Sequence, residues 1–313
     1  MKNETYFIIL LIACLIGAAA VVGINRKIDI FGLYGDHPCG NISIYGEEQY
    51  TKYLHMHRYV PECYNGLLLG ASLSANLDPV DIQGYRVYNA SLMGARIGQL
   101  DQLYSAAVDQ GAQFDVVIIG IHPYLTGVSE GPNMHLAEKG LQSAWGSLSL
   151  LRVYGFALIR KFGLWESKFP RNQYDANGRN DYNRFFQVPD VDAHILEKAK
   201  NTEIQALANN KEGMKSLAGL LEKICQSRSN LLLYFHPIPD EIYRANQETL
   251  ASYWQQIEHL ANLYDNQVIA ADFNTHPAKV NKNYKNYIDH GHLSEQGQQK
   301  LIELINERLR EFR

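Results

Sequence analysis

Five short runs that read as strands, separated by longer stretches of helical period, constrain this chain more than any other feature. They are Gly66 to Gly70, Arg86 to Asn89, Asp115 to Gly120, Asn230 to Phe235 and Gln267 to Ala271. The runs Gly66-Leu-Leu-Leu-Gly70 and Asp115-Val-Val-Ile-Ile-Gly120 are continuously apolar rather than alternating, the pattern of strands covered on both faces. Between the runs, Ile97 to Val108, Asp192 to Ser227, Pro239 to Tyr264 and Ser294 to Arg310 carry apolar residues at helical spacing. Parallel neighbours need a crossover that a helix supplies, so the alternation predicts an α/β fold, a doubly wound sheet of about five parallel strands. In such sheets ligands bind beyond the carboxyl ends of the strands, and reactive side chains are sought there.

The N-terminal part breaks this pattern. No charged side chain occurs from Tyr6 to Ile24, and at about 1.5 Å per residue a helix of that length spans roughly 28 Å, close to the hydrocarbon thickness of a bilayer. Residues 1–24 are therefore read as a single-pass transmembrane anchor. Three other readings stay open: a signal peptide cut near Ala18-Ala19-Ala20, a lipoprotein signal through Leu11-Ile12-Ala13-Cys14, and a buried globular helix. Lys2 precedes the segment while Arg26 and Lys27 follow it, a near tie for the positive-inside rule. A long body translocates largely regardless of its charge, which favours the amino terminus inside and the body outside the cytoplasm, periplasmic or at the cell surface. Residues 25–64, tyrosine-rich and without clear period, read as a membrane-proximal stalk, and residues 65–313 as the folded domain. The stretch 124–190 does not fit the strand–helix alternation and is expected to be a helical insertion. Within it, Leu148 to Leu164 is amphipathic, with Arg152, Arg160 and Lys161 among Leu, Val, Phe and Ile. A core-packed lid helix and a helix lying on a membrane surface both fit that pattern.

Composition narrows the partners. With 46% apolar and 20% charged residues the chain is neither disordered nor fibrous. Its 29 basic and 33 acidic residues leave a net charge of -4, with no electrostatic footprint for nucleic acid. Of the four cysteines, Cys14 lies in the apolar segment. A disulfide between Cys39 and Cys63, which an oxidising compartment permits, and free buried thiols both stay open.

Reactive groups cluster at the predicted strand ends. Gly70-Ala71-Ser72-Leu73-Ser74 follows the first strand, so Ser72 projects from the sheet edge and begins a helix whose amides can hold an oxyanion. Helix capping is the alternative role for this serine. Asn89-Ala90-Ser91-Leu92-Met93-Gly94 follows the second strand, where a glycine lets a backbone N–H approach a substrate atom. In the C-terminal loop Asp289-His290-Gly291-His292, a carboxylate and an imidazole three positions apart can meet, leaving the other ring nitrogen to face a nucleophile. A metal held by these histidines has too few partners nearby in sequence, and no metal or cofactor is expected.

Together these blocks resemble the SGNH, or GDSL-like, hydrolase superfamily, from Gly66 to the C-terminus apart from the insertion. The resemblance implies a flavodoxin-like sheet, Ser72 as nucleophile, His292 as general base oriented by Asp289, and Gly94 as an oxyanion-hole donor beside the Ser72 amide. One block departs from the family's Gly-x-Asn-Asp: here Gly120-Ile121-His122-Pro123 puts His122 at the asparagine position. A neutral imidazole can donate one N–H, with a reach and angle unlike an amide's. His236, after the fourth strand, and Arg96 are further candidates for binding substrate, and Asp272 and His276 either support the C-terminal loop or cap turns. The combination of anchor and blocks is similar in plan to membrane-anchored SGNH proteins of exopolysaccharide synthesis, such as the alginate O-acetylation proteins. That resemblance implies a serine esterase or O-acyltransferase working on a carbohydrate or other acyl-ester substrate, with polysaccharide-export proteins as partners. A catalytically silent domain that binds glycan or scaffolds an export complex, and a lipase or thioesterase, are the alternatives.

Overall fold

Parallel pairing runs through the whole central sheet of the computed structural model, which describes residues 2–35, 39, 44–45, 48–127, 144, 147–164, 173–182, 186–201, 203–277 and 280–313. Its strands are β1 (Gly66–Leu69), β2 (Val87–Asn89), β3 (Val116–Ile121), β4 (Asn230–Phe235) and β5 (Val268–Asp272). They lie in the order β2-β1-β3-β4-β5, every pair parallel. The strand order reverses between β1 and its neighbours, so the switch point of this doubly wound sheet opens beyond the carboxyl ends of β1 and β3. The expected α/β architecture is present, and all five expected runs are strands. β1 and β3 are buried along their whole length, as their continuous apolar sequence requires.

The helices, in chain order, are α1 (Lys2–Ile28), α2 (Glu48–His55), α3 (Tyr59–Cys63), α4 (Ser72–Ala75), α5 (Ile97–Asp109), α6 (Pro123–Thr126), α7 (Leu148–Lys161), α8 (Val191–Lys198), α9 (Glu203–Ala208), α10 (Lys211–Gln226), α11 (Asp240–Ala245), α12 (Gln247–Ala261) and α13 (Glu295–Leu309). The stretch from Asp192 to Ser227 is thus three helices rather than one. Asn210 causes the last break: its Oδ1 accepts the N–H groups of Glu212 and Gly213, both at 3.0 Å, and starts α10 afresh. The stretch from Pro239 to Tyr264 likewise divides at Asn246, whose amide turns back to the Ile242 carbonyl at 3.0 Å.

From Glu4 to Ile28, α1 is long and apolar enough to cross a membrane, and its most apolar window has no buried part. A buried globular helix is therefore not what this segment forms. Past it, Tyr53 of α2, Met56 just beyond that helix, and Tyr59 and Val60 of α3 lie in the same apolar core as Leu67, Val117 and Leu232 of the sheet. A disulfide joins Cys39 to Cys63 across a Cα separation of 5.4 Å. Ile44 and Tyr45 pair antiparallel with Tyr174 and Gln173, linking this region to the segment before β4.

One close approach fixes the sheet edge. Ser74 Oγ and the Tyr234 hydroxyl hydrogen-bond at 2.7 Å directly over Gly120, where a Cβ would collide with both. Gly120→Ala is expected to destabilise the fold by about 2 kcal/mol, the cost of overpacking plus a strained buried hydrogen bond. Urea unfolding measures it, and an unchanged midpoint would contradict the packing described.

Candidate active site

Ser72 opens α4 immediately after the Gly70-Ala71 turn that ends β1. Its Oγ lies 2.9 Å from His292 Nε2, and His292 Nδ1 lies 2.7 Å from Asp289 Oδ2. The other carboxylate oxygen, Oδ1, accepts the backbone N–H of Gly291 at 2.8 Å and of His292 at 2.7 Å, so the loop is wound around the acid. Burial alone would raise the Asp289 pKa. The hydrogen bond and charge of the His292 ring, with the two backbone N–H groups, outweigh burial and hold the carboxyl well below the usual carboxylate range. An ionised Asp289 accepts from Nδ1–H, which leaves the His292 Nε2 lone pair facing the Ser72 hydroxyl. Residues separated by 220 positions in sequence thus form one hydrogen-bonded chain from carboxylate to hydroxyl.

Three N–H groups border the same cavity. Ser72 N–H is the unsatisfied first amide of α4. Gly94 adopts φ +68°, a left-handed conformation that a side chain would disfavour, and its loop is pinned by Leu92 N–H on the Gly70 carbonyl at 3.1 Å. His122 follows β3, and its Nδ1 accepts the Tyr124 N–H at 3.2 Å while its ring stacks on Tyr124 with centroids 4.9 Å apart. Burial, followed by the neighbouring His236, His290 and His292, pushes the His122 pKa well below the ordinary value. The ring is therefore neutral, and with Nδ1 occupied as an acceptor its proton sits on Nε2. Among the described residues none accepts from the Ser72 amide, the Gly94 amide or the His122 Nε2–H.

The loop before Gly94 is held from a distance. Lys52 Nζ donates to the Ser91 carbonyl at 2.6 Å, and Glu48 Oε2 accepts the Met93 N–H at 2.9 Å. Lys52 and Glu48 pair at 3.3 Å, with the lysine fully buried, and Glu48 Oε1 also accepts from Asn180 at 3.1 Å. Tyr182 closes the other flank: its hydroxyl donates to the Ser72 carbonyl at 2.7 Å, and its ring meets the His292 ring edge-on at 5.3 Å. Neither contribution was visible in the sequence. An i,i+4 Glu–Lys pair reads as a solvated helix face, and Tyr182 lies in a stretch with no period at all.

His236, 1% exposed, donates Nε2–H to the Gly291 carbonyl at 3.0 Å and so braces the loop that carries Asp289 and His292. Arg96 donates to the Tyr124 carbonyl at 2.8 Å and is half-buried. Asp272 accepts from Asn274 and Thr275, a turn cap that does not reach the C-terminal loop. The cavity measures about 210 Å³ and is lined by Ser72, Gly94, His122, His236 and His292, with Arg96 and the apolar Ile204, Ile238 and Ile242. Ser72, Gly94, Arg96, His122, His236 and His292 therefore converge on one cavity at the switch point, with Asp289 behind His292, while Asp272 and His276 do not line it.

No family model matches the chain, and no curated protein matches it. Among solved structures that resemble it, a protein from Streptococcus pneumonia provisionally assigned as a platelet activating factor superposes with a TM-score of 0.47. The two are 16% identical, over 85% of this chain and 92% of the other.

Two outcomes follow from these contacts. Lys52→Met leaves Glu48 buried without its cation and is expected to lower unfolding stability by about 3–5 kcal/mol, much of it recovered in Lys52→Met/Glu48→Gln. Equal stability of wild type and Lys52→Met would contradict a buried pair. Burial, chiefly, holds the His236 pKa down to about 4 from 6.5. The folded state thus disfavours its protonation, so its contribution to stability is complete above pH 6.5 and is lost as pH falls toward 4. Over that window the slope of stability against pH in His236→Gln should be shallower by up to about 1.4 kcal/mol per unit. An identical slope in the variant would contradict a buried neutral His236.

Proposed function

We propose that the protein is a membrane-anchored serine esterase or O-acyltransferase of the SGNH type, acting on acyl groups of cell-surface or exported polysaccharide. The observation that carries this reading is the hydrogen-bonded chain Asp289, His292, Ser72, ending beside three unclaimed N–H donors. Ser72 Oγ attacks the ester carbonyl carbon while its proton passes to His292 Nε2, and Asp289 stabilises the resulting imidazolium. The oxyanion is held by the amides of Ser72 and Gly94 and by His122 Nε2–H. Collapse breaks the bond to the alcohol, which takes the proton back from His292, and leaves an acyl-serine. Water or a sugar hydroxyl then attacks with His292 again as base, giving hydrolysis or transfer by the same groups.

Substrate class and location rest on further support. The cavity of about 210 Å³ beside Ser72 has room for an acyl group. The disulfide between Cys39 and Cys63 belongs with an oxidising compartment, and an apolar α1 supports attachment beside a membrane from which polymer emerges. The polysaccharide assignment itself leans on the resemblance of the motif blocks.

Full-length protein in detergent micelles, assayed on acetyl esters and acetylated oligosaccharides, tests the reading. Ser72→Ala is expected to lower kcat by about 10⁴ or more, and His122→Ala by about 10²–10³, with His122→Asn recovering part of the loss. Absence of activity, or equal rates for wild type and Ser72→Ala, would show a binding domain instead.

A further inference from the structure

The described part of the 124–190 insertion carries an apolar surface that the proposed chemistry does not use. On α7 and the turn after it, Leu148 is 69% exposed, Leu158 55%, Phe162 70% and Leu164 76%, with Leu151 and Ile159 also open to solvent. At about 100° per residue, Leu148, Leu151, Leu158, Ile159 and Phe162 fall within roughly 100° of one another around the helix, one continuous stripe. The turn itself is ordered by Phe162 N–H on the Leu158 carbonyl at 3.1 Å and Leu164 N–H on the Ile159 carbonyl at 3.0 Å. A contiguous apolar stripe of this size marks an interaction surface rather than ordinary scatter.

Its position says what covers it. The adjoining face of α7 packs through Leu150 and Tyr154 against Ile30, Phe31 and Leu54. Ile30 and Phe31 follow α1 directly, and the turn between them is rigid: Asp29 accepts the N–H groups of Leu33 at 2.7 Å, Tyr34 at 2.9 Å and Gly35 at 2.6 Å. Burial and the nearby Asp29 carboxylate together push the Tyr154 hydroxyl up to about 12. Asn25, in the last turn of α1, is buried at 2% exposure, so the helix is seated on the body before it ends. The stripe therefore sits beside the point where the apolar helix enters the body.

We infer that α7 and the turn through Leu164 lie in the membrane interface, with the Leu148 to Leu164 stripe in the acyl region of the same bilayer that α1 crosses. This rests on the reading of α1 as a membrane span. The geometry is that of an interfacial helix, with the exposed apolar stripe flanked on one edge by the face that packs on the body and on the other by the exposed Arg152. Two attachments a few residues apart in space, rather than one flexible tether, then fix how the body stands on the membrane.

The test is made on the full chain in phosphatidylcholine–phosphatidylglycerol nanodiscs, in a Cys14→Ser/Cys225→Ser background that keeps the Cys39 to Cys63 disulfide. Nitroxides are placed singly through Leu158→Cys and Phe162→Cys, with Leu10→Cys reporting on the span and Leu263→Cys on an exposed site of the body. Relaxation by oxygen, which enters lipid, is compared with relaxation by a water-soluble nickel chelate. The expected result is a ratio of oxygen to nickel relaxation at positions 10, 158 and 162 roughly tenfold or more above that at 263, as for groups in hydrocarbon. A lipid-like ratio at 10 with a water-like ratio at 158 and 162 overturns the proposal while the span stands. A water-like ratio at 10 overturns both. Shielding of 158 and 162 from both reagents means that protein covers the stripe, a second copy or another chain, and overturns the proposal as well.

Discussion

Parallel pairing is the constraint on which the rest of this structure depends. Because β1, β2, β3 and β4 run the same way, their carboxyl ends lie along one edge, and the residues that follow them are delivered to one place. Ser72 follows β1, Gly94 the loop after β2, His122 follows β3 and His236 follows β4. The C-terminal loop then crosses this edge, where His236 holds the Gly291 carbonyl and turns His292 toward Ser72. No single element makes the cavity. The sheet's polarity does, with Gly120 allowing the Ser74 and Tyr234 hydroxyls to meet behind it.

How much of this was legible follows from the range of each interaction. β1, β3 and β4 announced themselves because burial on both faces demands uninterrupted apolar residues, and Asp289 with His292 because a carboxylate reaches an imidazole three residues away within one turn. Helix breaks at Asn210 and Asn246 were obscured, since apolar periodicity continues across both while the side chains cap locally. The buried pair of Glu48 and Lys52 was hidden for a different reason. Its partners Ser91 and Met93 lie about forty residues away, and nothing local distinguishes a buried i,i+4 pair from a solvated one.

That pair also changes the meaning of the region between α1 and the sheet. Residues read as a stalk donate and accept directly at the loop bearing Gly94, and their apolar side chains join the sheet's own core. The disulfide ends on Cys63 at the close of α3, three residues before β1 begins. Among the described residues, α2 and α3 are therefore packed on the sheet and hydrogen-bonded to the loop bearing Gly94. A site of this kind gains rate when its donors are held in place before the charge develops, and the contacts of Lys52 and Glu48 hold this loop.

The central claim is that Ser72 is a nucleophile activated by His292, and the most direct measurement is covalent. Full-length protein treated with a fluorophosphonate, which phosphonylates an activated serine hydroxyl and releases fluoride, is digested and mapped by mass spectrometry. The account predicts one adduct, on Ser72, and its disappearance in His292→Ala. An unmodified Ser72, or labelling that is unchanged when His292 is removed, would contradict it.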